Sequence, residues 1–273
     1  MNRPDAIFTD LDGTLLGPDK KVGKQDAAAI RRLKELGIPV IICTGRPILG
    51  TRLVTAELGL GLTLCSNGGC CHDFIRDETL LAVEMDHGVA RRLLAWLEEE
   101  GEPFLLHAPK QIFGSPGAQM PPHYVLQGEE SGGTIFHDSP FDGLQILKVL
   151  AVRCDEAELI RKGRERFTPE ELTICSSERS FVDFNPPGVT KGAGIRWLAE
   201  KMGWDLARVI AMGDNNNDLS MLELAGMGAA PESGIPAAKA VADFVTAPSG
   251  ENPLSATIKH YYPNLLPSPA LRA

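Results

Sequence analysis

Two carboxylates two residues apart, Asp10 and Asp12 in Asp10-Leu11-Asp12-Gly13-Thr14, directly follow the short apolar run Ala6-Ile7-Phe8-Thr9. A strand ending in such a turn can point both side chains into one crevice, because Gly13 lets the chain turn at once. Asp10 could then act as a nucleophile while Asp12 gives and later takes a proton. Taken alone, the same acidic turn could equally do no more than solvate a loop. A second stretch, Met212-Gly213-Asp214-Asn215-Asn216-Asn217-Asp218, breaks another apolar strand with a cluster of oxygen ligands. A hard cation such as Mg²⁺ takes carboxylate and carbonyl oxygens and keeps several waters, so Asp10, the Asp12 carbonyl and Asp214 form a candidate metal set. An Asn/Asp turn capping the next helix explains one or two of these residues, but not the whole run.

Two further segments suit an anion. Thr44-Gly45-Arg46-Pro47 closes a second strand, where a hydroxyl and free backbone amides form a nest for a phosphoryl oxygen. Thr44 could also simply cap the following helix, and Arg46 could be a surface charge. Lys191, in Gly188-Val189-Thr190-Lys191-Gly192, opens a helix where a lysine opposes the dipole. Its ammonium could bridge nucleophile and phosphate, or lie solvated on the surface.

These residues need a scaffold, and the hydrophobic pattern supplies one. A strand at Ala6–Thr9, a helix over Gln25 to Leu36 stopped by Gly37, a strand over Ile38 to Cys43, a helix to Leu58 and a strand over Leu62 to Cys65 alternate as in a parallel, doubly wound sheet. After Asn67-Gly68-Gly69 a hairpin follows, Cys71 to Ile75 and Leu80 to Val83, turning at Arg76-Asp77-Glu78-Thr79. Helices over Val89 to Glu100 and Ala157 to Phe167, with strands near Phe104, Tyr124, Thr134, Ile146, Leu172 and Phe181, make a separate α/β module. The first alternation resumes beyond Pro186-Pro187-Gly188, with a helix over Gly192 to Lys201, a strand over Arg208 to Met212 and a helix after Asn216. The expected architecture is therefore α/β: a Rossmann-like doubly wound parallel sheet over residues 1–84 and 186–273, with a smaller α/β domain inserted at 85–185.

Composition narrows the class. The formal net charge is −9 and no Lys/Arg block stands out, which argues against nucleic acid as a partner. No secretion signal is visible and no apolar run is long enough to span a bilayer, so a soluble, cytoplasmic protein without membrane association is expected. Six cysteines are sparse and fall largely in strand-like runs, as reduced, buried thiols would. Cys65, Cys70, Cys71 and His72 lack the spacing of a zinc site.

Together the four segments, Asp10-Leu11-Asp12-Gly13-Thr14, Thr44-Gly45-Arg46, Lys191 and Gly213 to Asp218, resemble in order the four motifs of the haloacid dehalogenase superfamily of phosphohydrolases. The position of the insert, with Ser66-Asn67-Gly68-Gly69 before it, is similar to the Cof-like branch, in which the insert is a cap. The resemblance implies a Mg²⁺-dependent phosphomonoester hydrolase that passes through a phospho-aspartyl intermediate on Asp10. It also implies phosphate binding by Thr44, Gly45, Arg46 and Lys191, with Asp218 orienting Lys191 and Asn217 supporting the metal shell. The implied substrate is a small phosphorylated metabolite, a sugar phosphate or phosphoglycerate-type ester, selected by the cap. The protein is expected to be a monomer or small homo-oligomer. A phosphosugar mutase, or a phosphate-binding regulator without turnover, are the alternatives. Two departures fall at the crevice rim: Met227-Gly228-Ala229-Ala230 where Met-Gly-Asn-Ala is usual, and Glu251-Asn252-Pro253 where an acidic-Gly-Val segment is common.

Overall fold

The computed structural model of the chain describes residues 3–109, 111–119, 134–135, 143–152, 154–177 and 179–266. It divides into two compact units, Met1–Cys43 with Ile195–Ala273, and Thr44–Gly194. In chain order the first unit opens with β1 (Ala6–Thr9), α1 (Lys24–Glu35) and β2 (Val40–Cys43). The second holds α2 (Ile48–Leu58), β3 (Leu62–Cys65), β4 (Cys70–Asp73), β5 (Glu78–Ala82), α3 (His87–Glu100), β6 (Phe104–His107), β7 (Ile112–Gly114), β8 (Thr134–Ile135), β9 (Lys148–Val152), α4 (Glu156–Arg166), β10 (Thr173–Ser176) and β11 (Phe181–Asn185). Helix α5 (Lys191–Met202) leads back to the first unit. There follow β12 (Val209–Met212), α6 (Leu219–Leu224), β13 (Met227–Pro231), α7 (Pro236–Val241), β14 (Phe244–Thr246) and α8 (Pro253–Tyr261).

In the first unit β14-β13-β12-β1-β2 lie side by side and every pairing is parallel. β1, β2 and β12 are buried along their whole length, which is why they read as continuous apolar runs and not as alternating ones. The strand order steps outward in both directions from β1. The seam of β1 with β12 is therefore the switch point at which open α/β sheets leave room for a ligand. Helices α1 and α8 cap each other. Gly23 offers α1 no side-chain cap, and Asn252 Oδ1 instead accepts from the amides of Gln25 (2.9 Å) and Asp26 (3.3 Å). Asp26 in turn accepts from the amide of Ser255 at 2.7 Å, near the start of α8. Asn252, the middle of one departure noted above, thus supplies the cap that Gly23 cannot.

In the second unit β3, β4 and β5 pair antiparallel, and a six-stranded sheet runs β10-β11-β9-β6-β7-β8. One face of that sheet packs Leu106, Val149, Ala151, Val182 and Phe184 against α3 and α4, around Trp96 and Leu159. Because side chains alternate along a strand, the other face carries His107, Lys148, Leu150, Val152 and Asp183. That mixture of charge and apolar surface is fully buried.

The predicted long elements are found with ends displaced by one or two residues. The hairpin turns two residues earlier than expected, with Asp77 at positive φ and β5 starting at Glu78. The strand expected near Ile146 begins at Lys148, and the one expected near Tyr124 lies outside the described residues. Strands β7, β13 and β14 and helices α7 and α8 carry little sequence signal. They are short, and Met227-Gly228-Ala229-Ala230-Pro231 lacks the β-branched residues that mark a strand.

Candidate active site

In the first unit the register of β1 and β12 decides what meets. Thr9 lies opposite Met212, and the ladder runs one step further as the Asp10 amide donates to the Met212 carbonyl at 2.8 Å. Asp10 and Asp214 therefore leave neighbouring strands at the same edge. Carboxylate oxygens of Asp10, Asp214 and Asp218 lie within 4.8 Å of one another, with Asp10 and Asp218 buried. Gly13 makes this approach possible. Its φ is +79°, and a Cβ there would come within 2.4 Å of the Asp214 carboxylate. Thr14 Oγ1 donates to Asp214 Oδ1 at 2.8 Å, a contact the sequence reading did not assign although Thr14 closes the first motif.

The second acidic loop is held by its own backbone. Asp218 Oδ2 accepts from the amides of Asp214 (2.8 Å) and Asn215 (2.9 Å), and Asn215 and Asp218 form a reciprocal capping box. Capping and ligation are thus compatible accounts of one loop. Gly213 allows the fold-back, since a Cβ there would fall 2.4 Å from that of Asp218. Asn217 is buried in the short helical turn Asn216–Asp218. The Asp12 carboxylate meets Lys20 Nζ at 2.8 Å, a partner the sequence did not signal.

Three carboxylates at this spacing repel one another, and burial makes the repulsion worse; a divalent cation relieves both. The donors are all hard oxygens, which fits Mg²⁺ or a similar ion. Sequence reasoning placed Asp10 and Asp214 in such a set. The convergence of Asp218 with them was not foreseen.

In the second unit Thr44, Gly45 and Arg46 form a tight turn after β2. Thr44 Oγ1 accepts from the Arg46 amide at 3.2 Å and does not cap α2, whose N-cap is Pro47. The Arg46 side chain is buried, with Nη1 donating to the Gly50 carbonyl at 3.0 Å, so it is not a surface charge. The Ser66 amide donates to the Arg46 carbonyl (2.9 Å) and the Asn67 amide to the Thr44 carbonyl (3.0 Å). Ser66 and Asn67 both have positive φ, a strained pair of non-glycine residues beside the turn. Lys191 is 1% exposed as the first residue of α5, which excludes the solvated-surface account.

A family model for haloacid dehalogenase-like hydrolases matches residues 7–258, and the chain belongs to that family. It is an enzyme, a phosphatase of that family. Among curated relatives, the 5-amino-6-(5-phospho-D-ribitylamino)uracil phosphatase YwtE of Bacillus subtilis is 30% identical over 90% of this chain and 94% of its own length. The putative phosphatase YkrA of the same organism is 29% identical over 93% and 96%. Among solved structures, a haloacid dehalogenase-like hydrolase from B. subtilis, 25% identical, matches with a TM-score of 0.82 over 94% of this chain and 99% of that one. One from Bacteroides thetaiotaomicron, 26% identical, matches at 0.79 over 95% and 100%. Among the described residues no helix is long and apolar enough to cross a membrane.

Proposed function

We propose that this chain hydrolyses a small phosphate monoester through a phospho-aspartyl intermediate on Asp10, in the presence of Mg²⁺. The observation that carries the reading is the convergence of Asp10, Asp214 and Asp218 at the ends of β1 and β12. In the first half-reaction an Asp10 oxygen attacks phosphorus and the ester P–O bond breaks, while Asp12 gives its proton to the departing alkoxide. In the second, Asp12 takes a proton from water, the water oxygen attacks phosphorus, and Asp10 leaves as a free carboxylate with inorganic phosphate. Asp10, the Asp12 carbonyl and Asp214 would hold Mg²⁺, which when bound would supply charge neutralisation for the phosphoryl group. Thr44, Gly45 and Arg46 are assigned to the phosphoryl oxygens and Lys191 to charge compensation. Asp218 is assigned to orienting Lys191, and Asn217 to supporting the metal shell. Their motif order and their buried, hydrogen-bonded settings support these roles.

Residues 1–84 and 186–273 are read as the catalytic core and 85–185 as the cap that selects the leaving group. A sugar phosphate or phosphoglycerate-type ester is the proposed substrate class. The compound named for YwtE carries a phosphorylated ribityl chain and is the first to test. Phosphate release from a panel of such esters, abolished by a chelator and restored by Mg²⁺, is the expected result; isomer formation without free phosphate would point to a mutase instead.

A further inference from the structure

A buried lysine outside the four motifs reaches the phosphate turn. Lys148, the first residue of β9, is fully buried and its Nζ donates to the Gly45 carbonyl at 2.7 Å. The same ammonium forms an ion pair with Asp183 on the neighbouring strand β11, also fully buried. Asp183 Oδ2 has no hydrogen-bond partner among the described residues. Such a pair is a poor device for stability: desolvating two charges can cancel the attraction between them, and apolar residues of similar volume often serve as well or better. The contact to Gly45 is what a hydrophobic pair could not reproduce.

The surroundings agree. Leu147 packs against Ile48, and Leu49 packs against Leu105, Leu150 and Val152, so the residues just after the turn are gripped by the same sheet. A second side chain of this sheet, Asn185, accepts from Asn67 Nδ2 at 3.2 Å, and Asn67 itself donates its amide to the Thr44 carbonyl.

We infer that Lys148 is a positioning residue: its ammonium, balanced by Asp183, fixes the Gly45 carbonyl and with it the peptide planes through which Thr44-Gly45-Arg46 present donors to the phosphoryl group. This rests on the assignment of that turn to phosphate made above. Lys148 touches neither substrate nor nucleophile in this role. It sets the geometry of the turn from the inserted sheet.

The test compares wild type, Lys148→Met, Asp183→Asn and the double variant Lys148→Met/Asp183→Leu. Thermal unfolding, p-nitrophenyl phosphate kinetics with Mg²⁺ and inhibition by inorganic phosphate are measured. Each single variant is expected to lose stability by stranding one buried charge, and the double variant to regain most of it. KM and the inhibition constant for phosphate should rise about tenfold in both Lys148 variants and less than about threefold in Asp183→Asn. Recovery of wild-type KM and phosphate affinity in the stable double variant would overturn the inference, leaving the pair a structural one. Should the double variant not fold, equal phosphate affinities in the two single variants would overturn it, and the predicted separation would uphold it. Amide exchange of the 44–50 peptide needs no turnover and should quicken whenever Lys148 is replaced; unchanged protection counts against the anchor. If the wild type hydrolyses no ester, the phosphatase reading fails by itself, and the exchange measurement still decides the role of Lys148.

Discussion

The acidic cluster of the first unit and the Lys148–Asp183 pair of the second are both buried charge, but they are built in opposite ways. Asp10, Asp214 and Asp218 stand in loops at strand ends, where Asp218 is satisfied by amides three and four residues away and Gly13 and Gly213 clear the space. Like charges gather there, an arrangement whose repulsion a divalent cation would relieve. Lys148 and Asp183 project from the neighbouring antiparallel strands β9 and β11 and balance each other. Charge concentrated by local backbone is poised for chemistry, whereas charge paired across strands is suited to holding another segment in place.

The largest effect should come from the nucleophile. Asp10→Asn keeps the shape and removes the attacking oxygen's charge, so turnover should fall by about four orders of magnitude or more with little change in unfolding temperature. Near-normal hydrolysis of an aryl phosphate would break the distinction between reactive and structural charge. Asp12→Asn should cost about 10²–10⁴-fold on alkyl phosphates and far less on p-nitrophenyl phosphate, whose leaving group needs no proton. Equal losses on both esters would remove Asp12 from the acid role.

A smaller, pH-dependent effect probes the other region. Burial, followed by the nearby Lys148 charge, holds the His107 imidazole well below its ordinary value. With the folded value depressed, stability is full above the unfolded value of about 6.5 and declines as pH falls below it, by up to about 1.4 kcal/mol per pH unit. His107→Leu should flatten that acid-side decline in urea titrations at pH 7, 6 and 5. A slope as steep as that of the wild type would show that His107 is not the group responsible. The smallest effect concerns the polish of the acidic cluster. Thr14→Val removes the bond to Asp214 and should raise the Mg²⁺ concentration for half-maximal activity about 3- to 10-fold, since one intramolecular hydrogen bond contributes about 0.5–1.5 kcal/mol net. An unchanged Mg²⁺ requirement would make Thr14 a spectator.

The two regions also differ in how far they can be read from the chain. Asp10 and Asp214 are legible because each follows an unbroken apolar run, and a parallel sheet delivers the ends of such runs to one edge. The capping account of Thr44 does not hold, because Pro47 takes the N-cap position and the Thr44 hydroxyl turns to the Arg46 amide. Lys148 gives no signal at all: in the sequence it is a single charge inside Ile146-Leu147-Lys148-Val149-Leu150.

By itself the sequence determined the alternation of strands and helices, the parallel core and the acidic turns that close its strands, because periodicity and turn chemistry act over a few residues. Only the tertiary structure decided that Asp218 joins Asp10 and Asp214, that Asn252 caps a helix more than two hundred residues earlier, and that Lys148 reaches Gly45. Those contacts depend on strand register and on which face of a sheet a residue occupies. Register is fixed by burial summed over whole strands, and no single residue announces it.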